Sequence, residues 1–265
     1  MLIDSHAHLQ HPLFSGNLAT ILGTAATTGI QAWLIPSVSD GCWSKQYDIT
    51  QHHTNCFAAY GLHPLQASKP WRHSISILDE YLTARGALAI GEVGLDHQLP
   101  DHCAQEALLT SQLSLARERD LPVILHNRGA TDRLLHILQN MRWGQLRGLV
   151  HGFTGSLATA QQFLRLGLTL SLGPAILNPA SHRVHAMVQN LPAGSFMFET
   201  DAPQLHIHKT EPLQQLLQLH RIVDQAATLR ETPPSHMLQQ ATECTCRLFP
   251  TMVSCTMVSC LPDPP

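Results

Sequence analysis

Val123-Ile124-Leu125-His126 is three apolar residues followed by an imidazole. The apolar run is too short for a helix and shows no alternation with polar residues, which is how a strand buried on both faces reads. Runs of the same kind recur at fairly even intervals: Leu2-Ile3, Gln31 to Ile35, Phe57 to Leu62, Leu88 to Ile90, Leu149-Val150, Leu168 to Leu172 and Phe196 to Phe198. Segments with helical spacing lie between them. Leu108, Leu109, Leu113 and Leu115-Ala116 share one that ends near Asp120, and Leu134, Leu135 and Leu138 mark another. Ala158, Phe163 and Leu166 mark a third, opened by Ser156 as an N-cap and stopped by Gly167. Strand and helix in alternation predict a parallel sheet with helices outside. Eight such units in 265 residues favour one closed (β/α)8 barrel of the TIM type over an open sheet, since such barrels take about 250 residues.

The expected α/β barrel domain spans residues 1–250. From Thr251 the chain reads TMVSC twice, at 251–255 and 256–260, and ends in Leu261-Pro262-Asp263-Pro264-Pro265. A tandem repeat after the last helix is read as a short, disordered tail, residues 251–265.

Hydrophobic residues make up 44% of the chain and charged residues 13%, which supplies a core and excludes a disordered chain. The net charge is -3 and the lysines are Lys45, Lys69 and Lys209. A basic face gripping a long stretch of nucleic acid is therefore not expected. A nucleic-acid substrate stays open, because bound cations could supply positive charge where a phosphate sits. The seven cysteines are scattered, with no CxxC pair, and are read as reduced thiols. No signal-peptide pattern opens the chain and no run approaches the roughly 18 apolar residues of a membrane span. The expectation is a soluble, cytoplasmic protein without a membrane or an obligate protein partner.

The residues that follow the apolar runs carry the chemistry. Functional groups of an α/β barrel gather at the C-terminal ends of its strands. Asp4, His6 and His8 follow the first run and His63 the third. Glu92 follows the fourth, His126 the fifth, His151 the sixth, and Glu199 and Asp201 the eighth. With 18 histidines in the chain a His-x-His pair is expected by chance, and His206-x-His208 is a second one, in a loop. At a strand end, however, period-two spacing turns His6 and His8 to the same face. With carboxylates from other strands they would make a site for zinc or manganese. Glu92 follows buried apolar residues, so its charge must be paired or metal-bound. One glutamate can bridge two ions, as in two-metal hydrolytic sites. His126 and His151 end consecutive strands and read as further ligands. Asp201 would lie beside the first strand once the barrel closes, able to bind an ion and to take a proton from the attacking water.

Taken together, Ile3-Asp4-Ser5-His6-Ala7-His8-Leu9, Gly61-Leu62-His63-Pro64, Ile90-Gly91-Glu92-Val93-Gly94-Leu95-Asp96, Leu121-Pro122-Val123-Ile124-Leu125-His126-Asn127-Arg128, Val150-His151-Gly152-Phe153-Thr154-Gly155-Ser156 and Glu199-Thr200-Asp201-Ala202-Pro203 resemble the motifs of the TatD family of metal-dependent deoxyribonucleases, in order and spacing. The resemblance covers residues 1 to about 250. It implies a barrel of the amidohydrolase type with two divalent ions (Mg, Mn or Zn). His6, His8, Glu92 and Asp201 would hold one ion, and Glu92, His126 and His151 the other. It further implies that His63 and Arg128 contact the scissile phosphate and that Glu199 supports a ligand from behind. The activity implied is exonucleolytic hydrolysis of DNA or another nucleotide-containing substrate. Hydrolysis of another ester or amide, such as a D-aminoacyl-tRNA ester, is the alternative, and a non-catalytic metal-binding scaffold the third. Two departures stand out. Gln10 occupies a position usually acidic in the family, which is expected to alter a contact behind the ligands. Glu243 to Phe249 lacks the family's asparagine before the closing Leu-Phe, which bears on local capping.

Overall fold

Each apolar run becomes a strand, and each strand pairs in parallel with the next in the chain. The strands are β1 (Leu2–Asp4), β2 (Ile30–Pro36), β3 (Cys56–Tyr60), β4 (Ala89–Asp96), β5 (Val123–Arg128), β6 (Gly148–Val150), β7 (Leu168–Leu172) and β8 (Phe196–Phe198), hydrogen-bonded in that order. The computed structural model describes residues 1–141, 146–204 and 210–252. Closure comes just beyond the ends of β8 and β1. Ser5 donates its amide to the Phe198 carbonyl at 2.9 Å, Asp201 to His6 at 2.9 Å and His8 to Ala202 at 2.7 Å. Ala7 and Ala202 form a parallel bridge there. The sheet is thus the expected (β/α)8 barrel, and its seam is built by the segments that carry His6, His8 and Asp201.

The helices α1 (Leu18–Thr27), α2 (Trp43–His52), α3 (Arg72–Ala84), α4 (His102–Glu118), α5 (Thr131–Asn140), α6 (Leu157–Arg165), α7 (His182–Asn190) and α8 (Pro212–Leu229) follow the eight strands in turn, and α9 (Pro234–Leu248) is added at the end. The start and stop of α6 are as read from the sequence. Ser156 Oγ accepts the Thr159 amide at 3.2 Å, and Gly167 takes a φ of +89° just past the helix.

Two apolar clusters result. The larger lies between sheet and helices, with Trp33, Phe163 and Phe196 fully buried. The smaller joins Ile3, Ala32, Leu34, Ala59, Ala89, Ile124, Leu149 and Met197, drawn from seven of the strands, to Cys244, Leu248, Phe249 and Met252. The end of α9 and the residues after it therefore plug one end of the barrel, with Met252 fully buried. The rest of the expected tail, residues 253–265, lies outside the described residues. No helix among the described residues is long and apolar enough to cross a membrane.

Two strands run further than their apolar content indicates. β4 continues from Ile90 through Gly91-Glu92-Val93-Gly94-Leu95 to Asp96, buried throughout, and β5 continues past Leu125 to Arg128. Glu92 and His126 therefore sit inside strands rather than after them. Gly94 makes the extended pairing possible, since a Cβ there would lie 1.9 Å from the His126 carbonyl oxygen.

Candidate metal centre

Glu92 is the hub. The β4–β5 ladder pairs Gly91 with Ile124 and Val93 with Leu125, so Glu92 is skipped and the strand bulges at that point. Its amide instead donates to the Ser37 carbonyl at 3.0 Å. The side chain, 4% exposed, turns into the mouth of the barrel. Its Oε2 lies 3.3 Å from His6 Nε2 and 3.6 Å from His8 Nε2. Its Oε1 lies 2.7 Å from His126 Nδ1, 2.7 Å from His151 Nε2 and 3.7 Å from His63 Nε2. Asp201 Oδ1, carried over the seam on a residue with a φ of +52°, lies 3.7 Å from His6 Nε2 and 3.6 Å from His8 Nε2.

The far nitrogen of each ring fixes what the near one can do. His8 Nδ1 faces the Pro36 carbonyl at 3.2 Å, which accepts only, so that nitrogen carries the proton and Nε2 offers its lone pair. His126 Nε2 faces the Asp96 carboxylate at 3.3 Å, which leaves Nδ1 as the lone-pair atom toward Glu92. His151 Nδ1 faces Glu199 Oε1 at 3.5 Å, which leaves Nε2. His63 is reversed. Its Nδ1 accepts the Leu65 amide at 3.0 Å, so the neutral ring carries its proton on Nε2, as a donor directed into the centre.

This donor set fits a divalent cation. In their neutral forms His8, His126 and His151 turn lone pairs toward one buried carboxylate, and the His6 and His8 Nε2 atoms stand 3.3 Å apart. Ligands about 2.1 Å from a tetrahedral ion would stand about 3.4 Å from one another. The His6 and His8 Nε2 atoms lie from 3.3 to 3.7 Å from each other, from Glu92 Oε2 and from Asp201 Oδ1. The second group, Glu92 Oε1, His126 Nδ1 and His151 Nε2, is tighter, at 2.7, 2.7 and 3.2 Å. Donor trios within 4.8 Å of one another are His6, His8 and Glu92; His6, His151 and Glu199; and His63, Glu92 and His126. His63 therefore lies close enough to be a ligand, but its tautomer makes it a hydrogen-bond donor.

The electrostatics follow the same division. Burial drives the pKa values of His6 and His8 down, so both rings are neutral. Burial also takes His63 down to about 4. Burial alone would raise Glu92, but the histidines around it, His151 first, hold its carboxyl well below the usual range. For His151, burial is overcome by Glu92 and Glu199, which raise it well above the ordinary value. For His126, burial is overcome by Asp96 and Glu92. Without an ion, His126 and His151 are thus favoured as protonated rings paired with Glu92, and a bound cation would take the place of those protons.

Among the remaining expected residues, Glu199 is fully buried behind His151 and accepts the Gly152 amide at 2.6 Å. Arg128 stands exposed at the end of β5, where its charge acts on Asp96, the partner of His126. Gln10 donates to the Pro36 carbonyl at 2.8 Å and lies 3.5 Å from His8 Nδ1, so it shares the acceptor that orients His8. His206 and His208 lie outside the described residues.

Four supporting residues were not assigned a role from the sequence. Asp96 orients His126. Asp4, fully buried, accepts the Thr200 amide at 3.0 Å, the Thr200 hydroxyl at 2.6 Å and the His6 amide at 3.2 Å, tying the segment before Asp201 to β1. Burial pushes its pKa up to about 7. Gln112, on α4, accepts the Leu62 amide through Oε1 at 2.7 Å and donates to the Leu62 carbonyl through Nε2 at 3.0 Å, so it grips both polar groups of the residue before His63. Seven residues earlier on the same helix Gln105 does the same for Asp96, at 2.9 and 3.0 Å.

The family model described as TatD related DNase matches residues 3–250. The uncharacterized metal-dependent hydrolase YjjV of Escherichia coli is 35% identical over 210 residues, which cover 78% of this chain and 81% of the relative. The 3'-5' ssDNA/RNA exonuclease TatD of a Rahnella species is 32% identical over 203 residues, 75% of this chain and 77% of the relative. The crystal structure of YjjV, a TatD homolog from E. coli, superposes with a TM-score of 0.86 at 32% identity, covering 94% of this chain and 98% of the other.

Proposed function

The chain belongs to the TatD family, and we propose that it is a metal-dependent exonuclease that hydrolyses phosphodiester bonds at the end of a DNA strand. The observation that carries this reading is the convergence on Glu92: His8, His126 and His151 each face an acceptor with one nitrogen and turn the other toward its carboxylate. A cation bound there would displace the protons that otherwise pair His126 and His151 with Glu92. His6, His8, Glu92 and Asp201 would hold one divalent ion, and Glu92, His126 and His151 a second. Bound there, such ions supply hydroxide at neutral pH and positive charge beside the phosphate.

The chain's own residues supply the rest. Asp201, its side chain 42% exposed at the cavity edge, orients the attacking water and receives its proton. As the water oxygen bonds to phosphorus, the ester P–O bond opposite breaks and the leaving oxygen departs. His63, neutral with Nε2–H directed inward, donates to a non-bridging oxygen. Arg128 approaches the phosphate from the rim as a charged donor. Glu199 and Asp96 keep His151 and His126 in register.

Support for nucleic acid comes from the relatives' names and from the centre's fit to phosphodiester chemistry. The test is hydrolysis of an end-labelled single-stranded oligodeoxynucleotide by metal-defined protein with Mg, Mn or Zn, beside RNA and an aminoacyl-tRNA. Stepwise shortening of the DNA is expected. Release of the amino acid from the tRNA ester, with the DNA left intact, would overturn the phosphodiester reading.

A further inference from the structure

Gln214, Leu217, Gln218 and Arg221 share one face of α8, of which Leu217 also packs against the core. Leu216, Leu219, Ile222, Val223, Ala226 and Ala227 pack into the core, whereas these four residues line a cavity of about 790 Å³. The cavity opens onto Asp201 and Glu199 and is bounded on its other side by the segment after β7, through Asn178. Its volume is within the range of about 300–1,000 Å³ that takes a drug-sized ligand. Positions 214, 217, 218 and 221 follow the i, i+3, i+4, i+7 spacing of one helix face. The side chains of Gln214, Gln218 and Arg221 have no hydrogen-bond or ion-pair partner among the described residues. Arg221 lies about 10 Å farther along the helix axis than Gln214.

The geometry points to this cavity as the subsite for the nucleotide next to the scissile bond on a single strand. Gln214, Gln218 and Asn178 meet the base edge, and Arg221 holds a backbone phosphate. The inference rests on the phosphodiesterase reading above and gives it a direction, with the strand leaving the metal centre toward α8. The groove on the other flank of the mouth does not suit a phosphate. It is lined by Asp96, Glu106 and Asp132, and its arginine, Arg133, is already paired with Glu106 at 2.5 Å. Beside α8 the added groups, among the described residues, are neutral amides and one guanidinium without a side-chain partner. Amides present both donors and acceptors to a base, while a guanidinium matches a phosphate.

The experiment compares two substrates on the metal-loaded enzyme: a single-stranded oligodeoxynucleotide, and a p-nitrophenyl ester of thymidine 5'-monophosphate, which carries no phosphate beyond the scissile one. In Arg221→Ala, the ratio of kcat/KM for the oligonucleotide to that for the ester should fall about tenfold or more, as expected for losing a hydrogen bond to a charged group. The slope of log kcat/KM against log salt for the oligonucleotide should flatten by about 0.7, the value for one phosphate contact on a single strand. Arg221→Lys should restore the salt slope, because the charge returns. An unchanged ratio and slope in Arg221→Ala, with the parent enzyme cleaving both substrates, would overturn the subsite. If the parent cleaves neither substrate, the phosphodiester reading falls and the subsite with it.

Discussion

Gln112→Ala tests whether the barrel mouth is held from behind by α4. Gln112 is fully buried, and its amide satisfies both the N–H and the C=O of Leu62. Neither group belongs to β3, which ends at Tyr60, so the sheet ladder offers no substitute. Truncation leaves one buried donor and one buried acceptor without a partner. At about 1–3 kcal/mol for each orphaned group, the expected cost is about 2–6 kcal/mol. That is a large share of the roughly 5–15 kcal/mol by which a domain is stable. Urea unfolding of the chelated protein measures the cost, and hydrogen exchange at the Leu62 amide localises it. Gln112→Glu keeps an acceptor for the Leu62 amide but sets a carboxylate oxygen against the Leu62 carbonyl and buries its charge, so it should recover none of the loss. Because His63 follows Leu62 directly, the alanine variant should also bind substrate more weakly while retaining its metal. A cost below about 0.5 kcal/mol, the range of ordinary surface substitutions, with Leu62 protection unchanged, would refute the clamp.

Asp4 gives a pH test. With its carboxyl raised by burial to about 7 from an ordinary 3.8, the neutral form suits the fold, so stability present below pH 4 is lost as the pH climbs to 7. The full shift corresponds to about 4 kcal/mol, and chelated Asp4→Asn should gain about 2–3 kcal/mol on wild type between pH 5 and pH 8 in urea unfolding. Parallel pH dependence in the two proteins would contradict this. Gly94→Ala would set a Cβ against the His126 carbonyl oxygen, a backbone atom that cannot swing aside. It should cost at least the upper end of the usual 1–3 kcal/mol for overpacking and lower metal content, so a thermal midpoint and metal content like those of wild type would count against the β4–β5 geometry. Asp201→Asn should lower kcat by about 10²–10⁴ with a smaller effect on KM, as expected for a lost proton acceptor; a kcat within a few-fold of wild type would remove that role.

Much of the barrel was legible because a strand buried on both faces needs only apolar residues. Val123 to Leu125 and Phe196 to Phe198 announce themselves in that way. The second half of β4 did not, because Gly91-Glu92-Val93-Gly94 has no apolar run and is a strand only through its neighbours. The cluster itself could be anticipated, since His6, His8, Glu92, His126, His151 and Asp201 each follow an apolar run and the barrel's closure brings those points to one mouth. Of the residues that support the cluster, Glu199 was implied by the family resemblance, and the others could not be anticipated. Gln105 and Gln112 look like the polar face of a helix, and Gln112's partner lies 50 residues away. The tautomer of His63 depends on a turn that brings the Leu65 amide to its Nδ1. Met252 falls in a tandem repeat that reads as a tail, and its burial appears only once α9 is seen to plug the barrel.

Anomalous scattering from crystals loaded with manganese tests the metal centre most directly. The expected result is one peak bounded by His6, His8, Glu92 and Asp201 and another by Glu92, His126 and His151, both lost in Glu92→Ala while the fold persists. Peaks away from Glu92, or peaks unchanged in that variant, would contradict the assignment.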